Sequence, residues 1–467
     1  NHPRGDFVAK YRVILRGGTL HYDWRCRMRR FFAFLLMITT MCSLFAGCSN
    51  EGGLDPKNPV TLTLWHNYGG IMQTTMDSLV DTFNGTIGKE KGIIINITSI
   101  NSSSVLQKKL LMAAQGDPGA PELPDITTCY PKVAITLAEK DLLVDLNDYF
   151  SKKELFQYVA SFVDEGKVDD KLYVFPIAKS TEVLFINQTL FDRFAEATEV
   201  AVADLATFEG IARTAELYYE WTDAQTPTIP NDGKAFYAID SIFNFMQIGM
   251  KQLGSSFIEN EQLVTTGDAF GYVHNNLFDT AVKGGYAIYD GYSSDLSKTG
   301  DIICSIGSTA GILFYGDTVT YENNITEQVE YNVLPYPVFE EGKQIAIQRG
   351  AGMAVTKSDE RKEYAAAVFL KWFTTARQNM QFVSETGYLP VTNSAFETMM
   401  GSEAKSVANT KVKKLLQVAV AMHKQYEFLV MPVFDALDGL SSQYTDLFKA
   451  SARSARLEYI KSLRVAP

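Results

Sequence analysis

Cysteine is scarce, with five in 467 residues, and only Cys129 and Cys304 lie beyond Cys48. A disulfide-stapled scaffold is therefore excluded, and at most one bridge, Cys129 to Cys304, is open. Histidine is equally thin, since only His66, His274 and His423 occur past residue 21. No His-Glu-x-x-His, Cys-x-x-Cys or Walker-type Gly-rich loop is present, which removes the commonest metal-hydrolase, redox and nucleotide signatures. Gly307-Ser308-Thr309-Ala310-Gly311 has the outline of a nucleophile elbow but carries Thr where the serine belongs. Asp290 and Asp295 lack calcium-loop spacing. Paired carboxylates for glycoside hydrolysis are always available among 54 Asp and Glu, so their presence decides nothing. Repeats, heptads and long low-complexity tracts are missing too.

Positive charge is in deficit over the chain as a whole but in excess at the start. Residues 1–47 hold eight Arg and Lys against two Asp, whereas the whole chain has a formal charge of -11, so the remainder is more acidic still. An acidic domain does not suit nucleic acid or an anionic lipid surface. No apolar run reaches the ~20 residues of a membrane span. What the first residues do contain is an export signal. From Met28, the expected natural start, Arg29-Arg30 is followed by a mostly apolar run from Phe31 to Phe45 and then Ala46-Gly47-Cys48. That order is a charged region, an apolar region and a small-residue cleavage site. The end of it resembles the lipobox of bacterial lipoprotein signals, although Phe45 stands where those signals usually carry Leu. The resemblance implies cleavage before Cys48, lipidation of its thiol and a polar tether from 48 to 58.

The remaining chain of about 420 residues is too long for a single core, so two domains are expected. Val60-Thr61-Leu62-Thr63-Leu64-Trp65 alternates as a strand does, and Met76, Leu79, Val80 and Phe83 then recur at helical spacing. Ile93-Ile94-Ile95-Asn96-Ile97 reads as a second strand, Leu106, Leu110 and Leu111 as a helix, and Leu123-Pro124-Asp125-Ile126 as a third strand. Strand–helix alternation of this kind predicts an α/β fold with a parallel sheet. Strands are also expected over 172–176 and 183–187, a helix over 204–220, a loop over 223–232 and a helix through Val368, Phe369, Trp372, Phe373 and Ala376. The basic stretch from Lys449 to Arg464 reads as a helix end or a disordered tail.

In order along the chain, Leu64-Trp65-His66-Asn67-Tyr68, Leu123-Pro124-Asp125-Ile126, 143–149, Asp170-Lys171-Leu172-Tyr173-Val174-Phe175-Pro176, Leu184-Phe185-Ile186-Asn187, Val333-Leu334-Pro335, Gly350-Ala351-Gly352-Met353-Ala354-Val355 and Gly387-Tyr388-Leu389-Pro390-Val391 resemble the family 1 extracellular solute-binding proteins, the group that includes maltose-binding protein. The resemblance implies a two-lobed periplasmic-binding-protein-like fold of type II. Lobe 1 is expected over 59–178 and 350–392, lobe 2 over 179–349 and 393–450, and a tail over 451–467. The expected crossovers lie near Ile177–Val183, Ile347–Gly352 and Tyr388–Asn393. The implied function is a monomeric, lipid-anchored, extracytoplasmic receptor that closes on a sugar and delivers it to the transmembrane subunits of an ABC importer. No enzymatic activity, cofactor or metal is implied. A secreted glycoside-active enzyme, or a receptor for a glycerol-phosphate ester or a peptide on the same fold, are the alternatives.

A sugar offers hydroxyls and flat C–H faces, so its site needs polar side chains and aromatic rings. Past the first strand stand His66, Asn67 and Tyr68, and around the third Asp125, Tyr130 and Lys132. The first crossover carries Ser180, Thr181 and Glu182, the second Arg349 and Gly350, and the third Tyr388. Ser308 and Thr309 fall in a loop where the family often has Trp; stacking is then left to Tyr292, Tyr315, Trp221 or Tyr388. Each has a plainer alternative. His66 could cap a strand end, Asp125 brace a turn, Glu182 join a hinge ion pair and Arg349 a surface one, and Gly350 and Gly352 could form an ordinary turn.

Overall fold

The computed structural model describes residues 51–100, 102–350, 352–400 and 407–465. The expected signal peptide and Cys48 lie outside the described residues. From Leu54 onward the main strands are β1 Val60–His66, β2 Ile93–Ser99, β3 Ile126–Cys129, β4 Glu182–Asn187, β5 Tyr237–Ile239, β6 Cys304–Ser308, β7 Tyr331–Leu334, β8 Ile345–Ile347, β9 Gly352–Val355 and β10 Glu427–Leu429. Two four-stranded sheets dominate, ordered β9-β3-β1-β2 and β7-β4-β6-β5. Among the described residues no helix is long and apolar enough to cross a membrane.

In the first sheet β1 runs parallel to β2 and β3, and β9 closes the edge antiparallel to β3. The alternation in β1 buries Val60, Leu62 and Leu64. The helix Ile71–Gly85 turns Met76, Leu79, Val80 and Phe83 into the same core. Phe83 meets Phe369 and Trp372 of the helix Glu360–Phe373 edge-on, each at 5.2 Å between ring centroids. A second cluster unites Leu106 and Leu110 with Val133, Ala134 and Leu137, and half-buried Trp65 packs against it. Helices on both faces explain why the strands are parallel and largely apolar.

The second sheet centres on β4, whose six residues are all buried, as expected of a near-continuous apolar run covered on both faces. It is mixed: β4 is antiparallel to β6 and β7, and β6 is parallel to β5. Cys129 lies in the first sheet and Cys304 in the second, both buried and free, so they do not pair.

Several expected elements shift. The third strand begins at Ile126, because Pro124 has no amide to donate and Asp125 is held by side-chain bonds. Of the 172–176 segment only Leu172 joins a hairpin, together with Lys171 before it, while Phe175 bridges Met353 of β9 singly. The apolar stretch at 368–376 divides, because Thr374 turns its hydroxyl back onto the Leu370 carbonyl at 2.8 Å and Ala376 starts a new helix, Ala376–Thr386. The basic residues after 450 are not a loose tail. They continue the helix Leu437–Val465, whose Phe448 packs on His274 and Phe278 of the helix Asp268–Lys283. Lys449 and Arg453 share Asp290, and Arg456 donates to the Val282 carbonyl while its guanidinium covers the Tyr219 ring.

Three passages run between the sheets side by side. Lys179 exchanges backbone hydrogen bonds with Leu389 at 3.2 and 2.5 Å, and Ser180 with Arg349 at 2.9 and 2.8 Å. Gly350 has φ 100°, a region that favours glycine. At Gly352 a Cβ would lie 2.4 Å from the Phe175 carbonyl oxygen. Gly352→Ala is therefore expected to lower unfolding free energy by about 1–3 kcal/mol. Gly439→Ala, where nothing lies within 4 Å of the added carbon, should be neutral or slightly stabilising. Denaturant titration of the two variants checks the contrast.

Candidate ligand-binding cleft

The carboxyl ends of β1 and β3 and the inner ends of β4, β5 and β6 all point to the three passages, so one cleft collects the loops of both lobes. At its first-lobe wall Asn67 is half-buried; its Oδ1 accepts from Thr128 Oγ1 at 2.9 Å, and its Nδ2 lies 3.4 Å from the Tyr130 hydroxyl. Tyr130 follows β3 directly and precedes Pro131, which starts the helix Pro131–Glu139 at its first turn. Half-buried Tyr388 comes from the third passage. Burial, and then the nearby Tyr130, raise its pKa, while Arg349 opposes them.

At the other wall Glu182 opens β4 and pairs with Ser308 across the sheet. Its carboxylate is 1% exposed. Oε1 accepts from Arg349 Nη1 at 2.9 Å and from Asn244 Nδ2 at 2.7 Å, and Oε2 has no hydrogen-bond partner among the described residues. Burial raises the Glu182 pKa, against the pull of Arg349 and Asn244. Asp240, just past β5, is half-buried and accepts at Oδ1 from the Ser293 amide at 2.9 Å and hydroxyl at 2.7 Å. Tyr292, one residue earlier, is 73% exposed at the start of the helix Ser293–Thr299.

The candidates expected from the sequence separate in the fold. Asn67, Tyr130, Glu182, Arg349 and Tyr388 come together, with Tyr292 at the second-lobe rim and half-buried Ser308 beside Glu182. Four others need correction. His66 has no exposed surface, and its Nδ1 accepts the Tyr68 amide at 3.1 Å, so it closes the strand end. Tyr68 is buried edge-on against Phe382 and Tyr388. Asp125 sits at the amino end of β3, away from the cleft, and ties that end to β1 through the Thr63 amide at 2.7 Å and to the helix Glu360–Phe373 through Lys362 at 3.0 Å. Thr181 is buried and donates to the Ile347 carbonyl at 2.7 Å. Ser180 and Gly350 contribute backbone to the passages. Buried Thr309 donates its amide to the Thr181 carbonyl at 2.8 Å. Of the proposed stacking rings, Tyr315 is buried against Phe185 at 4.4 Å, and Trp221 packs on Phe194 and Tyr218; neither reaches the cleft.

Asp240 and Asn244 were missed. They follow a strand of only three residues, Tyr237–Ile239, too short to show a period. The one available signal was Ser241, which caps the helix Ile242–Gln252 by accepting from the Asn244 amide. Surface cavities of about 590 and 740 Å³ lie on outer faces of the second lobe and not in this cleft. The cationic side chains of the first are engaged, Arg213 by Glu340 and Lys283 by Glu216.

The family model for bacterial extracellular solute-binding proteins matches residues 78–412. The chain belongs to that family. Among solved structures this solute-binding protein is similar to the cyclic alpha-maltosyl-1,6-maltose binding protein from Arthrobacter globiformis, with TM-score 0.66 and 19% identity over 85% of this chain and 95% of that one. UgpB from Mycobacterium tuberculosis in complex with glycerophosphocholine gives TM-score 0.65 and 17% identity over 87% and 98%. The GacH receptor of Streptomyces glaucescens gives 0.63 and 16% over 87% and 99%. At these identities the likeness establishes the two-lobed fold. No curated protein matches the chain in sequence.

Buried His66 makes the solute-binding protein acid-sensitive. Burial lowers its pKa from the ordinary 6.5 to about 4. Between those values the unfolded chain binds a proton that the native ring refuses, so stability falls as pH drops from 6.5 toward 4, by about 3 kcal/mol in total. Urea unfolding at pH 7.5 and 4.5 is expected to show a smaller loss in His66→Asn than in the parent.

Proposed function

We propose that this protein captures a carbohydrate by closing its two lobes and delivers it to the membrane subunits of an ABC importer, tethered outside the cell through a lipid on Cys48. The observation that supports it most is the convergence of Asn67, Tyr130 and Tyr388 with Glu182, Arg349, Asp240 and Asn244 at the sheet ends, with an exposed ring, Tyr292, at the rim. Hydrogen-bonding groups of both senses beside aromatic rings suit a hydroxylated ligand. A glycerol-phosphate ester is less well served, because the charge of the Arg349 guanidinium is already offset by Glu182. A glycosidase would need a free acid–base pair, and Glu182 has one oxygen committed twice.

Calorimetry against neutral oligosaccharides is expected to show saturable binding with the sugar recovered intact. Asn67→Ala and Tyr292→Ala should each weaken it by about 1–2 kcal/mol. Release of reducing ends would mean an enzyme, and unchanged affinity in both variants would mean that the ligand sits elsewhere.

Closure has a side-chain clasp. Lys132, on the helix that follows Tyr130, donates across to Asp438 at 2.8 Å and to the Asp435 carbonyl at 3.2 Å. Asp438 begins the helix Leu437–Val465, which packs on the second lobe. Lys132→Glu is expected to raise the ligand off-rate about two- to fivefold, the range of an exposed pair. Adding Asp438→Lys should restore it. Stopped-flow release with single and double variants reads both, and a double variant no slower than the single removes the clasp.

A further inference from the structure

The second-lobe wall of the cleft carries more negative than positive charge. Glu182 and Asp240 supply two carboxylates against one guanidinium, and Arg349 is bonded to Glu182 at 2.9 Å. Asn244 directs its Nδ2 onto the same Glu182 oxygen at 2.7 Å. One N–H of each is thereby turned onto Glu182, and the Arg349 charge is offset by that carboxylate. Glu182 Oε2, on a side chain 1% exposed, is left with no hydrogen-bond partner among the described residues. Asp240 is fixed through Oδ1 by both donors of Ser293. Its Oδ2 stands over Gly307, where a Cβ would lie 2.4 Å from it, so a bare glycine leaves this carboxylate its place.

The two acids sense each other. Burial first, and the Asp240 charge as a further contribution, hold the Glu182 carboxyl above its ordinary range. Tyr286 and Tyr315, packed nearby, are pushed the same way by burial and then by Asp240. Arg349 and Asn244 are the groups that oppose this at Glu182. A ligand cation placed between the carboxylates would act in the same sense as Arg349, whereas a ligand anion would add to the repulsion.

We infer that the cleft selects a hydroxylated ligand bearing a protonated amine, an amino sugar or amine-bearing glycoside, with Asp240 as the residue that reads the charge. This rests on the carbohydrate assignment and narrows it. An ammonium group brings three donors and a positive charge to a wall with two carboxylates and one guanidinium, and its bond to a carboxylate is charge-assisted. Anionic sugars and phosphate esters are disfavoured by the same wall.

The test uses the whole chain and one sugar skeleton in three charge states: glucose, glucosamine and glucuronic acid, and their 1,4-linked oligomers, by calorimetry at pH 6.5. The amine series is expected to bind on the order of tenfold more tightly than the neutral series, and the uronic series more weakly than either. Raising the salt concentration should narrow the gap. Asp240→Asn, which keeps an oxygen for Ser293, is expected to shrink the amine-to-neutral ratio about tenfold, with thermal unfolding reporting that the fold persists. If that variant does not fold, the charge order and its salt dependence in the parent decide. Glucuronic acid binding as well as glucosamine, or an unchanged ratio in Asp240→Asn, overturns the inference while leaving a neutral-sugar receptor in place. Binding of no sugar in any charge state overturns both.

Discussion

Two residues of the first passage, Lys179 and Ser180, hold the rest of the molecule in register. Lys179 is bonded through its backbone to Leu389 on one side, and Ser180 to Arg349 on the other. Three stretches remote in sequence are thereby locked into one short ladder between two independent sheets. The Lys179 ammonium is buried beside Glu165 at 3.1 Å and also donates to the Gly350 carbonyl at 3.2 Å. Burial lowers its pKa and Glu165 counters that. A buried pair of this kind adds little net stability, but removing either partner strands a charge.

The same ladder delivers the cleft chemistry. Pairing Ser180 with Arg349 sets the guanidinium opposite Glu182, and Thr181 and Thr309 join the start of β4 to the end of β6. Glu182 can remain buried because two donors converge on one of its oxygens. The cleft is polar at its base for a backbone reason, since the passages place side chains of neighbouring strands within bonding reach. Its first-lobe wall follows from the strand ends alone, where Asn67 and Tyr130 emerge beyond β1 and β3.

The fold was legible wherever periodicity ran long. The alternation over Val60–Trp65 and the helical stripe Met76, Leu79, Val80 and Phe83 each announced an element and its buried face. The run Val183–Ile186 announced a central strand. Short elements escaped. Tyr237–Ile239 gave no signal, and Asp240 beyond it went unseen. Basic residues near the carboxyl end left a helix end and a disordered tail both open, because their partners, Asp290 and the Val282 carbonyl, are far away in sequence.

Residue type and position narrowed the site without settling it. His66, Asn67 and Tyr68 are adjacent and all capable of touching a sugar, yet only Asn67 faces the cleft. Alternate residues of a strand end point to opposite sides, and which side is core depends on what packs there. Asp125 had suitable chemistry at the wrong end of its strand. The sequence by itself determined the alternation of strands and helices and the kinds of side chain available. Only the tertiary structure decided which carboxylates meet, because Glu182, Asp240 and Arg349 are joined by sheet order and passage geometry, and neither is written in any local pattern.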